Sequence, residues 1–125
     1  MDAEYALAAE RYQEAITNFW QVAERGFTVR CVEELAWAIC RQGEFERAAR
    51  LLGAAEAQRE AFGSFMPPAE HAEHDQRVGE AQAQLGEAKL AAAWATGRAM
   101  TIEQMVVYAL ANTPADPYFK PQPDK

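Results

Sequence analysis

The chain has 125 residues, a net charge of −7 and 27 alanines. This length suits one domain, which can bury a core without disulfides or a bound metal. The abundance of alanine and the scarcity of Val, Ile and Thr predict an all-α fold, and the negative charge disfavours nucleic-acid binding by this chain alone.

The start of the sequence, MDAEYALAAERY, is acidic where a signal peptide would be basic and then apolar. No apolar run in the sequence reaches the length of a membrane span. We therefore expect a cytoplasmic protein that does not bind membranes.

Apolar residues that recur every three or four positions predict about six helices. Glycines after the apolar segments are expected to mark most helix ends: Gly26, Gly43, Gly63, Gly86 and Gly97. The predicted helices span residues 2–25, 28–41, 44–62, a segment from the two prolines at 67 and 68 to about 85, 87–96, and a segment that begins at about 101.

The last of these helices has the clearest start signal in the sequence. Thr101 and Gln104 have the spacing of a capping box, in which each side chain bonds the backbone of the other. Its predicted buried stripe consists of Ile102, Met105, Val106 and Ala109. Residues 112–125 contain four prolines and no periodicity, so we expect one domain over residues 1–111 followed by an extended or disordered tail.

A weak internal repeat indicates that the first helices form hairpins. Tyr12, Ala15 and Phe19 have counterparts 33 residues later in Phe45, Ala48 and Leu52. The segment ELAWAICRQGEFERAARLLGAAEA, residues 34–57, resembles a tetratricopeptide repeat, with a large and a small residue together in its first helix and a glycine at its turn. The resemblance implies tetratricopeptide-like hairpins followed by a three-helix extension.

Residues 47–110 resemble the C-terminal end of the tetratricopeptide-rich region in large bacterial ATPase-containing transcriptional regulators of the LuxR type. In that family the region is a helical scaffold thought to receive partners or regulatory signals. This sequence contains no GxxxxGK[ST] phosphate-binding loop. The resemblance therefore implies a fold and an interaction role, with no catalytic residues to carry over.

The residues that could support chemistry favour a protein that is not an enzyme and holds no cofactor. His71 and His74 lie three apart among carboxylates, but closed zinc sites need four ligands and catalytic ones usually three, so we predict packing or surface histidines and no metal. Ser64 is the single serine and falls in a predicted loop. Cys31 and Cys40 lie on opposite sides of one predicted helix and are expected to be reduced core residues.

The aromatic residues of the first two helices supply the candidate interaction surface. In the resembled architecture a preceding helix would cover the first one, and only eight residues precede Ala9 here. We therefore expect an apolar patch that associates with a second copy or a partner. Trp37 falls beside the buried stripe of its helix and could belong to a peptide-binding face. The candidate residues are Tyr5, Tyr12, Ile16, Phe19, Trp20 and Trp37.

Two functions from different classes fit this sequence. The first is a non-catalytic scaffold for protein–protein interaction, linked through the resemblance to bacterial transcriptional regulation or signalling. The second is a small-molecule sensor, with an effector pocket between the repeat hairpin and the last three helices. Exposed aromatic residues on a concave face would favour the scaffold, and an enclosed apolar cavity would favour the sensor.

We expect the chain not to bind duplex DNA at physiological salt, because its net charge opposes the phosphate backbone. Fluorescence anisotropy of a labelled duplex titrated with the protein checks this. Micromolar or tighter binding that weakens steeply with added salt would contradict it.

Overall fold

The structure, a computed structural model, describes residues 2–111 and contains six α-helices and no strand within that range. The helices are α1 (Asp2–Gln21), α2 (Arg25–Arg41), α3 (Phe45–Phe62), α4 (Pro68–Leu85), α5 (Glu87–Arg98) and α6 (Ile102–Leu110). The predicted all-α class with about six helices is therefore confirmed. The predicted tail of residues 112–125 lies outside the described residues.

The helices are arranged around α2 and α3. Three-residue connections make α1 antiparallel to α2 and α2 antiparallel to α3, and α5 packs along α3. Helix α6 returns to contact α1 and α3. In the part of the chain that the structure describes, no helix is long and apolar enough to cross a membrane. The largest fully buried side chains come from α1, α2, α3 and α6: Ile16, Thr28, Val29, Val32, Leu35, Ile39, Leu51, Met105 and Tyr108.

Three predicted helix boundaries were wrong, and each had been placed with reference to a glycine. Helix α1 ends at Gln21, because Ala23 adopts a left-handed conformation with φ 61°. Helix α2 then begins at Arg25, so Gly26 lies inside its first turn. Helix α5 continues to Arg98, and Gly97 lies within it.

The predicted start of α6 is confirmed. The backbone N–H of Gln104 donates to the Thr101 hydroxyl at 3.1 Å, and the N–H of Thr101 donates to the Gln104 side-chain oxygen at 2.9 Å. These two bonds satisfy N–H groups that have no partner within the helix. All four residues of the predicted stripe are buried, namely Ile102, Met105, Val106 and Ala109.

A buried arginine of α3 holds the end of α6. Arg47 is 6% exposed, and its guanidinium donates to the carbonyl oxygens of Tyr108, Ala109 and Ala111. The last carbonyls of a helix lack partners within it and carry partial negative charge. A guanidinium at this end donates hydrogen bonds to them and interacts favourably with the helix dipole. Glu44 lies 3.5 Å from Arg47 and offsets its charge.

Helices α3 and α5 touch through their backbones at two glycines. A Cβ atom at Gly97 would lie 2.8 Å from the carbonyl carbon of Arg50, and one at Gly53 would lie 3.0 Å from the carbonyl carbon of Trp94. No side chain fits at either position, so glycine allows an approach that alanine would prevent. Four residues before each glycine stands a buried alanine, Ala49 in α3 and Ala93 in α5.

Helix α4 is attached through a few apolar residues, with Val78 and Leu85 partly buried against the core, and through ion pairs. Of its 18 residues only Ala81 is buried. Three ion pairs connect it to α2: Arg30 with Glu70 at 3.2 Å, Glu34 with Arg77 at 3.5 Å, and Arg41 with Glu80 at 2.7 Å. The partners follow one another in the same order along both helices, which shows that α2 and α4 run in the same direction. Each such pair is worth at most about 1 kcal/mol where water reaches it.

We expect Gly97→Ala to lower the free energy of unfolding by about 2 kcal/mol or more, because the added methyl must displace the backbone of α3. The matched control is Gly79→Ala in α4, where a Cβ would meet nothing within 4 Å. It should raise stability by about 0.5 to 1 kcal/mol through helix propensity. Urea unfolding followed by circular dichroism measures both. Similar changes in the two variants would contradict the close contact.

Candidate functional site

A groove of about 410 Å³ separates α4 from the α2–α3 hairpin and includes the loop between α3 and α4. The residues that line it come from four consecutive parts of the chain: Glu33 of α2; Leu52, Glu56, Arg59 and Glu60 of α3; Ser64, Phe65 and Met66 of the loop; and His71, His74 and Asp75 of α4.

Helical spacing places these side chains on facing sides of the groove. Leu52, Glu56 and Glu60 follow one another at intervals of four along α3, which puts them on one face of that helix. On α4, His74 and Asp75 lie three and four residues after His71, again on one face. The loop with its two prolines turns the chain between them, and α4 begins at the second proline.

A bidentate ion pair forms part of the groove wall. Arg59 donates from Nε to Glu33 Oε2 at 2.6 Å and from Nη2 to Glu33 Oε1 at 2.8 Å. Both side chains are largely buried, at 15% and 10% exposure. Hydrogen bonding to Glu33 raises the pKa of Arg59, so its charge is retained. The pair fixes α2 and α3 relative to each other on the side that faces the groove.

Residues of α5 orient two carboxylates of the groove. Trp94 Nε1 donates to Glu56 Oε1 at 2.7 Å, and Arg98 donates to the same oxygen at 2.9 Å. Arg98 also donates to Glu60 Oε1 at 2.6 Å and Oε2 at 3.2 Å. These hydrogen bonds from Arg98 lower the pKa of Glu60, which keeps its carboxylate ionised.

The groove brings Ser64 of the loop into the same cavity as the histidines of α4 and their neighbour Asp75. Ser64, His71, His74 and Asp75 line one cavity, although a loop and a helix contribute them. His71 Nε2 donates to the Met66 carbonyl at 2.8 Å, which ties this imidazole to the loop. Ser64 Oγ makes no hydrogen bond to either imidazole, so the pairing that activates a serine nucleophile is not formed here. In residues 2–111 no group of three or more His, Cys, Asp or Glu is placed to hold a metal ion.

A second cavity of about 300 Å³ adjoins the groove and has an aromatic wall. Phe27 and Phe65 both line it, and the loop residue Phe65 is 82% exposed while Phe27 is 53% exposed. Phe19 stacks on Phe27 with ring centroids 5.2 Å apart. Arg59, Ser64 and Phe65 line the groove as well, so the two spaces share a wall. We call this second space the aromatic cavity.

Two guanidinium groups lie close to the Trp37 ring. The Cζ atom of Arg77 in α4 is 4.6 Å from the centre of the Trp37 ring, and that of Arg41 is 5.2 Å from it. Arg41 also lies 5.5 Å from the Tyr5 ring. Trp37 is half-buried, and α4 of the same chain covers part of the α2 face that we predicted to receive a peptide.

The first helix presents less apolar surface than the sequence predicted. Ile16 is completely buried, and Tyr5, Tyr12, Phe19 and Trp20 are half-buried. Helix α6 supplies part of the cover that we expected to be missing, with Gln13 donating to the Ala109 carbonyl at 3.0 Å. Most exposed positions of α1 are polar, and Leu7 is the exposed large apolar residue among them.

The cysteines lie on α2 as the spacing predicted. Cys40 is buried and Cys31 is half-buried, and both are free thiols. Burial raises the pKa of Cys40 to about 11 and also raises that of Cys31. At neutral pH both are protonated, and a thiol in this form is a poor nucleophile.

Comparison of the chain with protein-family models, with curated proteins and with solved structures gave no significant match.

We expect Arg59→Met to lower the free energy of unfolding by about 3 kcal/mol, because it leaves the Glu33 carboxylate buried without its partner. Adding Glu33→Gln should restore part of this loss, since the uncompensated charge is then removed. Urea unfolding of both single variants and the double variant gives the coupling energy. Additive effects would contradict a coupled pair at the groove wall.

Proposed function

We propose that this chain is a non-catalytic helical scaffold that binds a segment of a partner protein in the groove between the α2–α3 hairpin and α4. The observation that carries the proposal is the shared wall between a charged groove and an exposed aromatic cavity. Exposed aromatic side chains in a concave surface are typical of sites that anchor partner proteins.

The packing of the hairpin supports a tetratricopeptide-like scaffold. The small and large motif positions of α2 and α3 are all buried, as close helix packing requires: Leu35, Ala36, Ala48, Leu52 and Ala55. A rigid hairpin of this kind presents the α3 face of the groove without rearrangement. The proposed link to bacterial transcriptional regulation or signalling depends on the resemblance of residues 47–110.

Association through α1 receives less support than binding in the groove. Ile16 is buried, and the remaining candidate residues of α1 are half-buried beside a largely polar outer face. Two guanidinium groups, those of Arg41 and Arg77, lie within 5.2 Å of the centre of the Trp37 ring. The aromatic cavity exposes two aromatic rings, Phe65 at 82% and Phe27 at 53%.

A small-molecule sensor is the second candidate, because the groove lies where that hypothesis places its pocket. Glu33, Glu56, Glu60 and Asp75 line it, with Arg59 as the one guanidinium among its lining residues. Such a ligand would be a small organic cation. We favour the protein partner because the aromatic cavity extends the site along the surface.

Site-specific photo-crosslinking in the cells that naturally contain this protein tests the proposal. The photoreactive amino acid p-benzoylphenylalanine replaces Ser64 at the groove, and in the control it replaces Val107, which is 63% exposed on α6. We expect a discrete protein adduct from position 64 that is absent from position 107. Equal adducts from both positions, or none from position 64, would contradict binding of a protein in the groove.

A further inference from the structure

We propose that the bound segment is a basic peptide in which an apolar side chain and a Lys or Arg are near neighbours. The apolar side chain enters the aromatic cavity, and the cation enters the groove. This inference rests on the proposed function and assigns the chemistry of its partner.

The aromatic cavity is suited to one large apolar side chain. Its volume of about 300 Å³ exceeds that of a single side chain, and its open side leaves room for the peptide backbone. Phe27 and Phe65 supply apolar walls, and Phe19 stacks on Phe27. Glu24, Arg30 and Arg59 supply the charged part of the lining. Covering Phe65 would remove its largely exposed ring from water, which is the main gain expected from apolar contact.

The charge of the groove selects a cation. Its lining carries four carboxylates and one guanidinium, which is paired with Glu33, while Arg98 of α5 pairs with both Glu56 and Glu60. The four carboxylates therefore outnumber these two guanidinium groups by two. Glu60 remains ionised because Arg98 lowers its pKa. Asp75 forms no ion pair with any residue in the range 2–111 and is exposed to solvent. A Lys or Arg that reaches Asp75 would therefore find a carboxylate that no residue from 2 to 111 pairs with.

The shared wall sets the spacing within the peptide. Phe65 borders both spaces, so one bound segment can contact the cavity and the groove at once. Side chains one to four positions apart in an extended or helical segment span such a separation. The same carboxylates repel phosphate groups, which disfavours an anionic lipid surface or a nucleic acid as the occupant.

Selection from a random peptide library displayed on phage tests this inference with the purified chain. We expect selected peptides to be enriched in Lys or Arg within four positions of Leu, Phe or Trp, relative to the unselected library. A synthetic peptide from the selection is then titrated against the variants by fluorescence anisotropy.

The variants separate the two halves of the site. Phe65→Ser should weaken binding about tenfold, as expected for loss of an aromatic anchor. Its control is Val107→Ser, an exposed apolar residue of α6. Asp75→Asn should weaken binding severalfold and reduce its salt dependence. The control Glu14→Gln removes the same charge from the exposed face of α1. Circular dichroism verifies that every variant is folded.

Each outcome bears on one of the two proposals. Peptides without basic residues, or affinities unchanged by Phe65→Ser and Asp75→Asn, would overturn the basic apolar motif. Failure to select any peptide would overturn it as well. A groove-dependent crosslink from position 64 would still support the scaffold in either case, whereas loss of that crosslink would remove the proposed function itself.

Discussion

The backbone contact between α3 and α5 is the constraint on which the arrangement of the groove depends. Gly53 and Gly97 let the two helices meet with no side chain between them. Since a single residue, Gly86, joins α4 to α5, fixing α5 also fixes the end of α4. The loop from α3 fixes its other end. Helix α4 is thereby held across the hairpin at both ends, and its central turns need little apolar packing.

The sequence of α4 matches that position. With one buried residue among 18, the helix meets α2 through ion pairs and through the contact of Arg77 with Trp37. Polar contacts of this kind leave space that apolar packing would close. The groove is the space that remains between α3 and α4, and four carboxylates line it, those of Glu33, Glu56, Glu60 and Asp75. The sparse apolar packing of α4 and the carboxylates that line the groove together produce a charged, water-accessible groove with one aromatic edge.

Much of the helical core was predictable from local signals. The period of the apolar residues indicated six helices, and the capping box at Thr101 identified the start of α6, because both depend on neighbours in sequence. Gly97 was misread as a helix end, since the close approach of α3 that requires it is a tertiary contact. The end of α1 was missed for the opposite reason: Ala23 takes a left-handed conformation there, which a non-glycine residue rarely does, so the sequence carried no sign of it.

The site was harder to predict than the fold. Its residues come from α2, α3, a loop and α4, and no periodic pattern connects Glu33 with Asp75. Phe65 lies in the loop before the two prolines and was not among the candidate residues, although it forms part of the wall shared by the groove and the aromatic cavity. The candidate residues of α1 were chosen because an uncovered helix was expected. Sequence periodicity could not indicate that α6 returns to cover part of it.

Hydrogen exchange resolved by helix, measured at low and high salt, tests most directly whether charge holds α4 in place. At low salt we predict faster exchange in α4 than in α3 and α5, because α4 buries so little apolar surface. At 1 M NaCl, where charges are screened beyond about 3 Å, exchange in α4 should accelerate about tenfold while α3 and α5 change little. Equal protection of α4 and α3 that does not respond to salt would contradict this account.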